Sequence, residues 1–397
     1  MPNLPVLAAC LGQQPPISVP LLASSLLDSL FDPSLPYDHL FPPSSILPPC
    51  HPNTNPWCNT PLSSNPCLTP VPSSLVADAW DYFLHDYPDR QFVALLLHII
   101  KFDTNVGFIG QLGMQSCKNL KSALENEELL SESIKNLVTN GHLAGPYSTP
   151  PLPDLHCSPV GVISRNHKPG KLWVINHLSW PKGSLVNDGI PDEEASISYD
   201  MFEHAIGDLL ASGQGSLMAK LDLKDAFWHI SFWAQDWNLL GIDWGCRFYF
   251  LLVLAFSLKM EPYIFNLFGE ALHWIIQHHI PTALCHYLND FLLIFQLNSQ
   301  MPVCMAAVNW VMSLGQKLGL CFQDSKTIWP CMTLEFLSLE IDSVAMEAHL
   351  PQEKLVFLCY LLTQWSVERK CTLLKLQKLT GFLQFASQVI PRSCSYL

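Results

Sequence analysis

The sequence predicts an α+β fold, and two observations carry that expectation. Apolar runs of strand length are bounded by turn residues, as at residues 239–244 and 248–253. Helix-period segments such as residues 262–277 stand among them without regular strand–helix alternation, which disfavours a doubly wound parallel sheet. Of the 397 residues, 49% are hydrophobic, enough to bury a large core in two or three domains.

Charge narrows the function classes. A formal net charge of −13, with only five arginines (Arg90, Arg165, Arg247, Arg369 and Arg392), argues against a generic nucleic-acid binder with a basic face. The longest near-continuous apolar run, residues 248–258, is too short to span a bilayer. No basic region precedes the apolar N-terminal residues, so no signal peptide is expected and the chain reads as intracellular, cytoplasmic or nuclear. The 14 cysteines form no CxxC pair and no Cys/His cluster with zinc spacing, which predicts free thiols.

Taken in order, residues 1–74 are rich in Pro, Ser and Leu without a period and predict a disordered leader. Residues 75–147 predict a helical lead-in. Its helices fall at 75–84, 91–101 and 122–140, the last with Leu129, Leu130, Ile134, Leu137 and Val138 on one face and Gly141 at its end. Residues 145–153 read as a proline-punctuated connector. Two strands follow at 158–164 and 171–176, joined by a polar turn at 165–170, and residues 178–191 have loop chemistry throughout. A helix at 201–211 leads to an apolar strand at 216–223 that ends in Asp222. The runs 239–244 and 248–253 pair as a hairpin across Gly245-Cys246-Arg247. Pro262 opens a helix to 277 with Ile264, Phe265, Phe268, Leu272, Ile275 and Ile276 on its buried side. The runs 282–286 and 291–295 flank Asn289-Asp290 and predict a tight hairpin with Asp290 at its tip. A helix at 303–318, two short strands at 334–340 and 345–350, and helices at 352–365 and 372–389, the last N-capped by Thr372, complete the chain.

The residues with chemistry to offer are Asp222, at the end of one apolar strand, and Asp290, in the later hairpin. Phosphodiester chemistry with two divalent ions needs shared carboxylates, and adjacent strands of one sheet would bring these two together. An Asp in a turn is by itself only a turn residue.

Several ordered blocks surround this pair. They are His156-Cys157-Ser158-Pro159-Val160-Gly161-Val162, His177-Leu178-Ser179, Val186-Asn187-Asp188-Gly189-Ile190-Pro191, Leu221-Asp222-Leu223-Lys224-Asp225-Ala226-Phe227, Pro262-Tyr263-Ile264-Phe265-Asn266, Tyr287-Leu288-Asn289-Asp290-Phe291, Leu318-Gly319-Leu320 and Phe336-Leu337-Ser338-Leu339-Glu340-Ile341-Asp342. Each is weak alone, and their shared order is specific. With them the chain resembles the reverse transcriptases of retroelements, most closely the DIRS-like, tyrosine-recombinase group.

That resemblance implies a right-hand polymerase with an antiparallel palm sheet: fingers at 148–215, palm at 216–350 and a partial thumb at 351–397, behind the leader and lead-in. It implies that Asp222, Asp290 and the Leu223 carbonyl are metal ligands, with Mg2+ or Mn2+ as cofactor. Lys171, Leu223, Ala226, Phe227 and Lys326 would surround the nucleotide, Phe227 excluding a 2′-hydroxyl and Lys326 lying by the departing pyrophosphate. The implied partners are an RNA or DNA primer–template and dNTPs. In the family the chain continues into a ribonuclease H domain, which the few residues after Pro391 cannot hold, so a fragment is implied.

The sequence departs from the family at informative places. Asn289 stands where the YxDD motif has its first aspartate, and a neutral amide is a poor ligand for a hard divalent ion. Trp173 stands where an arginine grips the triphosphate. Ser257 and Ser338 replace glycines, and Glu261 replaces an alanine. The expectation is a reverse-transcriptase-like domain with polymerase activity lost or strongly reduced. An active two-metal-ion polymerase and a non-catalytic nucleic-acid- or protein-binding module are the alternatives.

Overall fold

The computed structural model describes residues 73–164, 172–179, 186–192, 197, 199–254, 256–367 and 370–390. The leader before Ser73, the polar turn at 165–170 and Lys171 therefore lie outside the described residues.

The lead-in consists of α1 (Ala77–Phe83), α2 (Arg90–Phe102), α3 (Lys121–Glu125) and α4 (Glu127–Thr139). Asp89 caps α2 by accepting from the backbone N–H groups of Gln91 and Phe92. The single helix expected at 122–140 is broken at Asn126, whose φ of −131° and ψ of 42° are not helical. Gly141 ends α4 with a φ of 75°, as expected.

The expected connector at 145–153 begins inside a strand. β1 (Leu143–Tyr147) pairs antiparallel with a later strand, Leu143 opposite Leu251 and Tyr147 opposite Phe248, with a register shift around Gly145-Pro146. Proline is tolerated there because β1 is an edge strand and the bulge removes the ladder bond that Pro146 cannot donate. β2 (Val160–Ser164) and β3 (Leu172–Asn176) form the expected hairpin, with Ile163 opposite Trp173.

The rest of the chain builds a layered core. α5 (Phe202–Ser212) precedes β4 (Met218–Asp222), followed by the hairpin of β5 (Gly241–Trp244) and β6 (Arg247–Leu251). Trp244 pairs with Arg247, so the turn is the two residues Gly245 and Cys246, both left-handed, rather than three. α6 (Glu261–His279) begins with Pro262 in its first turn and buries all six residues expected on its inner side. After it come β7 (Ala283–Tyr287), β8 (Asp290–Ile294) and α7 (Met301–Leu318).

β9 (Ile328–Cys331) has no counterpart in the sequence-based expectation, because Pro330 interrupts its strand signal. It survives as the edge of a four-stranded sheet in the order β7-β8-β4-β9. The strand expected at 334–340 is in fact a hairpin of β10 (Thr333–Phe336) and β11 (Leu339–Asp342), extended by β12 (Glu347–His349). α8 (Gln352–Val367) and α9 (Leu373–Ser387) close the described chain, and the Thr372 side chain caps α9 by accepting from the Lys375 N–H.

The four-stranded sheet is buried on both faces, which explains the unbroken apolar run Phe291-Leu292-Leu293-Ile294-Phe295. Ala219, Leu221, Leu284, Phe291 and Leu293 face α6 and α7, while Met218, Cys285, Leu292 and Ile294 face α5 and the β10–β12 meander. The lead-in is locked to this core at the end of α7. Val76 N–H and Trp80 Nε1–H both donate to the Leu318 carbonyl, at 3.2 and 3.0 Å, satisfying a helix-end acceptor.

Gly319 caps α7 with a φ of 82°, and a Cβ there would overlap the Ser74 carbonyl. Gly319→Ala is therefore expected to destabilise the fold by about 2 kcal/mol, read as a lower urea midpoint at unchanged slope. The opposite sign is expected at Ser338, which with Leu337 forms the β10–β11 turn at φ values of 69° and 47°. Ser338→Gly relieves a left-handed serine and should stabilise by about 0.5–1 kcal/mol in the same measurement.

Candidate functional site

Asp222 is the last residue of β4 and Asp290 the first of β8, and the register places them directly opposite each other. Their side chains share the face of Met218, Leu292 and Ile294, because side-chain direction alternates along a strand. The β7–β8 turn is one residue earlier than expected: Tyr287 pairs with Asp290, leaving Leu288 and Asn289 as the turn, with Leu288 left-handed at φ 51°. Asp290 is thus a strand residue beside Asp222 rather than a carboxylate at the tip. The Asn289 carbonyl accepts from Leu223 N–H at 2.8 Å, fastening the turn across the end of β4.

Both oxygens of Asp222 are engaged. Asn289 Nδ2 donates to Oδ2 at 3.1 Å, and the Lys326 ammonium donates to Oδ1 at 2.6 Å. Lys326 ends a 3-10 turn, Asp324–Lys326, that is held against β4 where Gln323 N–H donates to the Asp222 carbonyl and Lys224 N–H to the Cys321 carbonyl, each at 2.8 Å. Asp222 is 7% exposed, so the contact with Lys326 is an ion pair with one side nearly desolvated and the lysine end in solvent. Burial, and then the Asp222 charge, hold the Asp290 carboxyl above its ordinary range, against the lowering effect of Lys220 and Lys326. Lys220, two residues before Asp222 on the same face, is the participant that sequence reasoning missed; the period of two along β4 is the signal that could have found it.

Ala226, buried, and Phe227 fall in a 3-10 turn, Ala226–His229, just after β4. The Phe227 ring packs edge-on against Phe256 and Phe265, at centroid distances of 5.2 and 5.0 Å. Trp173 is placed on β3 by its backbone pairing with Ile163, while Lys171 is outside the described residues. Asn187 ties the preceding loop to the turn before α6: its amide donates to the Ser257 carbonyl at 2.7 Å and its Oδ1 accepts from Lys259 N–H at 2.9 Å. Ser257, at φ 77°, occupies a left-handed position suited to glycine. Glu261 Oε2 accepts from Ser257 N–H at 3.2 Å, and burial pushes the Glu261 carboxyl up to about 7.

Two hard divalent ions need several anionic oxygens between them. Asp222 and Asp290 supply two carboxylates, Asn289 supplies an amide whose nitrogen faces Asp222, and the remaining Asp222 oxygen holds an ammonium. This set does not fit a two-ion centre. Its positive charge comes instead from Lys326 and Lys220.

By sequence alone the chain matches no protein-family model and no curated protein. Its structure is similar to the foamy viral protease–reverse transcriptase solved with double-stranded DNA, in a form described as dRH, with a TM-score of 0.54 and 15% identity over 85% of this chain and 56% of that one. The chain has a reverse-transcriptase-like fold. The foamy viral protease–reverse transcriptase with an RNA/DNA hybrid gives a TM-score of 0.54 at 14% identity over 86% of this chain and 44% of that one. A further structure with double-stranded DNA gives 0.53 at 15% over 80% and 64%. The chain thus spans about half the length of these reverse transcriptases. Among the described residues, no helix is long and apolar enough to cross a membrane.

Proposed function

We propose that this reverse-transcriptase-like chain derives from a retroelement of the DIRS-like group and that its RNA-directed DNA polymerase activity is lost or strongly reduced. The observation that carries the proposal is the amide of Asn289 donating to Asp222 at 3.1 Å, where the family motif would place a second carboxylate. At 4 Å and an effective dielectric of 20, one missing negative charge forfeits about 4 kcal/mol for each unit of ion charge. That is roughly a thousandfold in ion affinity per unit charge. The ion pair with Lys326 adds to the deficit, since an incoming cation must displace an ammonium already seated on Asp222.

A primer–template is the partner this reading implies, because the similar solved structures hold double-stranded DNA or an RNA/DNA hybrid. Fingers, palm and thumb would correspond to residues 148–215, 216–350 and 351–397, with the Asp222–Asp290 pair in the palm. The test is extension of a primer on an RNA template with dNTPs and Mg2+ or Mn2+. Product no greater than that of an Asp222→Ala control is the expected result. Robust extension by the natural chain would overturn the proposal.

A further inference from the structure

On the other face of the four-stranded sheet, away from Asp222 and Asp290, one side-chain cluster is unaccounted for. His286 of β7 lies opposite Phe291 and therefore points toward α6, where His273 meets it. The two Nδ1 atoms are 2.8 Å apart, and the rings meet edge-to-face at 4.9 Å. Asp200, just before α5, completes the group. Its Oδ2 accepts from the His286 backbone N–H at 3.0 Å, capping the unpaired edge of β7, and lies 3.9 Å from His286 Nδ1. One ligand atom from each of the three residues lies within 4.8 Å of the others.

We propose that Asp200, His273 and His286 bind one borderline divalent transition-metal ion, Zn2+ foremost, at the edge of the sheet. Two imidazoles and a carboxylate with a fourth position left for water is a zinc-type donor set, and two nitrogens among three donors disfavour Mg2+ and Ca2+. At 2.8 Å one Nδ1 donates to the other, so ligation through both moves that proton to the donor ring's Nε2, and burial disfavours the charged form of each ring. Tetrahedral ligation at Zn–N distances near 2.0–2.1 Å puts two nitrogens about 3.3 Å apart, so the pair need open by only ~0.5 Å. His273 is only partly buried, and its ring can make that adjustment.

The surroundings suit ligation. Glu270 Oε1 stands 3.9 Å from His286 Nε2 and is itself held by Asn266 Nδ2 at 3.2 Å. His204 Nδ1 lies 3.3 Å from the other Asp200 oxygen. Carboxylates and amides behind the ligand imidazoles are what fix ring orientation at such sites. A bound ion would tie β7, α6 and the start of α5 together one residue from Tyr287, bracing the hairpin that carries Asn289 and Asp290. The site does not depend on polymerase activity, so the two proposals stand or fall separately.

The test is calorimetric titration of the full chain with Zn2+ in millimolar Mg2+, together with the absorption spectrum of the Co2+ form. One ion per chain with a micromolar or tighter Kd, unaffected by Mg2+, is expected, with Co2+ d–d bands and no thiolate charge-transfer band. His273→Gln and Asp200→Asn, both able to keep a hydrogen bond in place, should each weaken binding at least ~100-fold. Asp222→Asn with Asp290→Asn should leave it unchanged. Absence of stoichiometric binding, a thiolate band placing the ion on cysteines, or full affinity in folded His273→Gln would each overturn the site.

Discussion

Asn289→Asp is expected to turn a chain whose thermal midpoint ignores Mg2+ into one that responds to it. In EDTA the variant should be less stable than the natural chain by about 1–3 kcal/mol. It loses the amide donor to Asp222 and sets a third carboxylate beside two that are already crowded, one of them above its ordinary pKa. In Mg2+ the sign reverses, because an ion that binds only the folded state adds about 2.7 kcal/mol at a hundred times its Kd. The measurement is a pair of melting curves, with and without Mg2+, for both proteins. A Mg2+-dependent rise in the natural chain would sink the account of its donor set. A variant that gains the Mg2+ response yet extends no primer would place the remaining defect elsewhere, and Asn289→Asp with Trp173→Arg is then the protein to assay.

Glu261→Gln is expected to remove a pH dependence of stability of up to about 3 kcal/mol. The Glu261 carboxyl is 7% exposed and sits at about 7 in the folded chain, against an ordinary value of 4.5. Between those values the folded state binds more protons than the unfolded one, so stability is full below pH 4.5 and declines as pH rises through 7. Each pH unit in that window corresponds to about 1.4 kcal/mol. Burial outweighs both the Ser257 N–H and the positive end of α6, which favour the charged form. Glutamine keeps the acceptor for Ser257 N–H and removes the titration. The variant should match the natural chain near pH 4.5 and exceed it above pH 7 in urea midpoints. Equal slopes for the two proteins would show that Glu261 is not the group responsible.

The elements that could be read from the sequence are those whose signals are local. α6 was legible because Pro262 starts it and six apolar residues recur at helical spacing; all six are buried. β8 was legible as a continuous apolar run, the mark of a strand covered on both faces. β9 and β1 were not, because Pro330 and Pro146 are strand breakers that only an edge position or a bulge tolerates, and edges are a property of the assembled sheet. The β10–β11 hairpin was hidden because its turn uses Leu337 and Ser338, neither of which announces a left-handed conformation.

The candidate site divides in the same way. Asp222, Asn289 and Asp290 and their order were in the sequence, as was the resemblance to reverse transcriptases. So was the absence of the carboxylate that Asn289 replaces. Only the tertiary structure decided that Asn289 and Lys326, 67 and 104 residues from Asp222, each take one of its oxygens. It alone brought His273, His286 and Asp200 together from a helix, a strand edge and a loop. Periodicity and turn chemistry act over a few residues and survive in one dimension. Which side chains meet depends on strand register and on which helix covers which face, and those follow from packing the whole core.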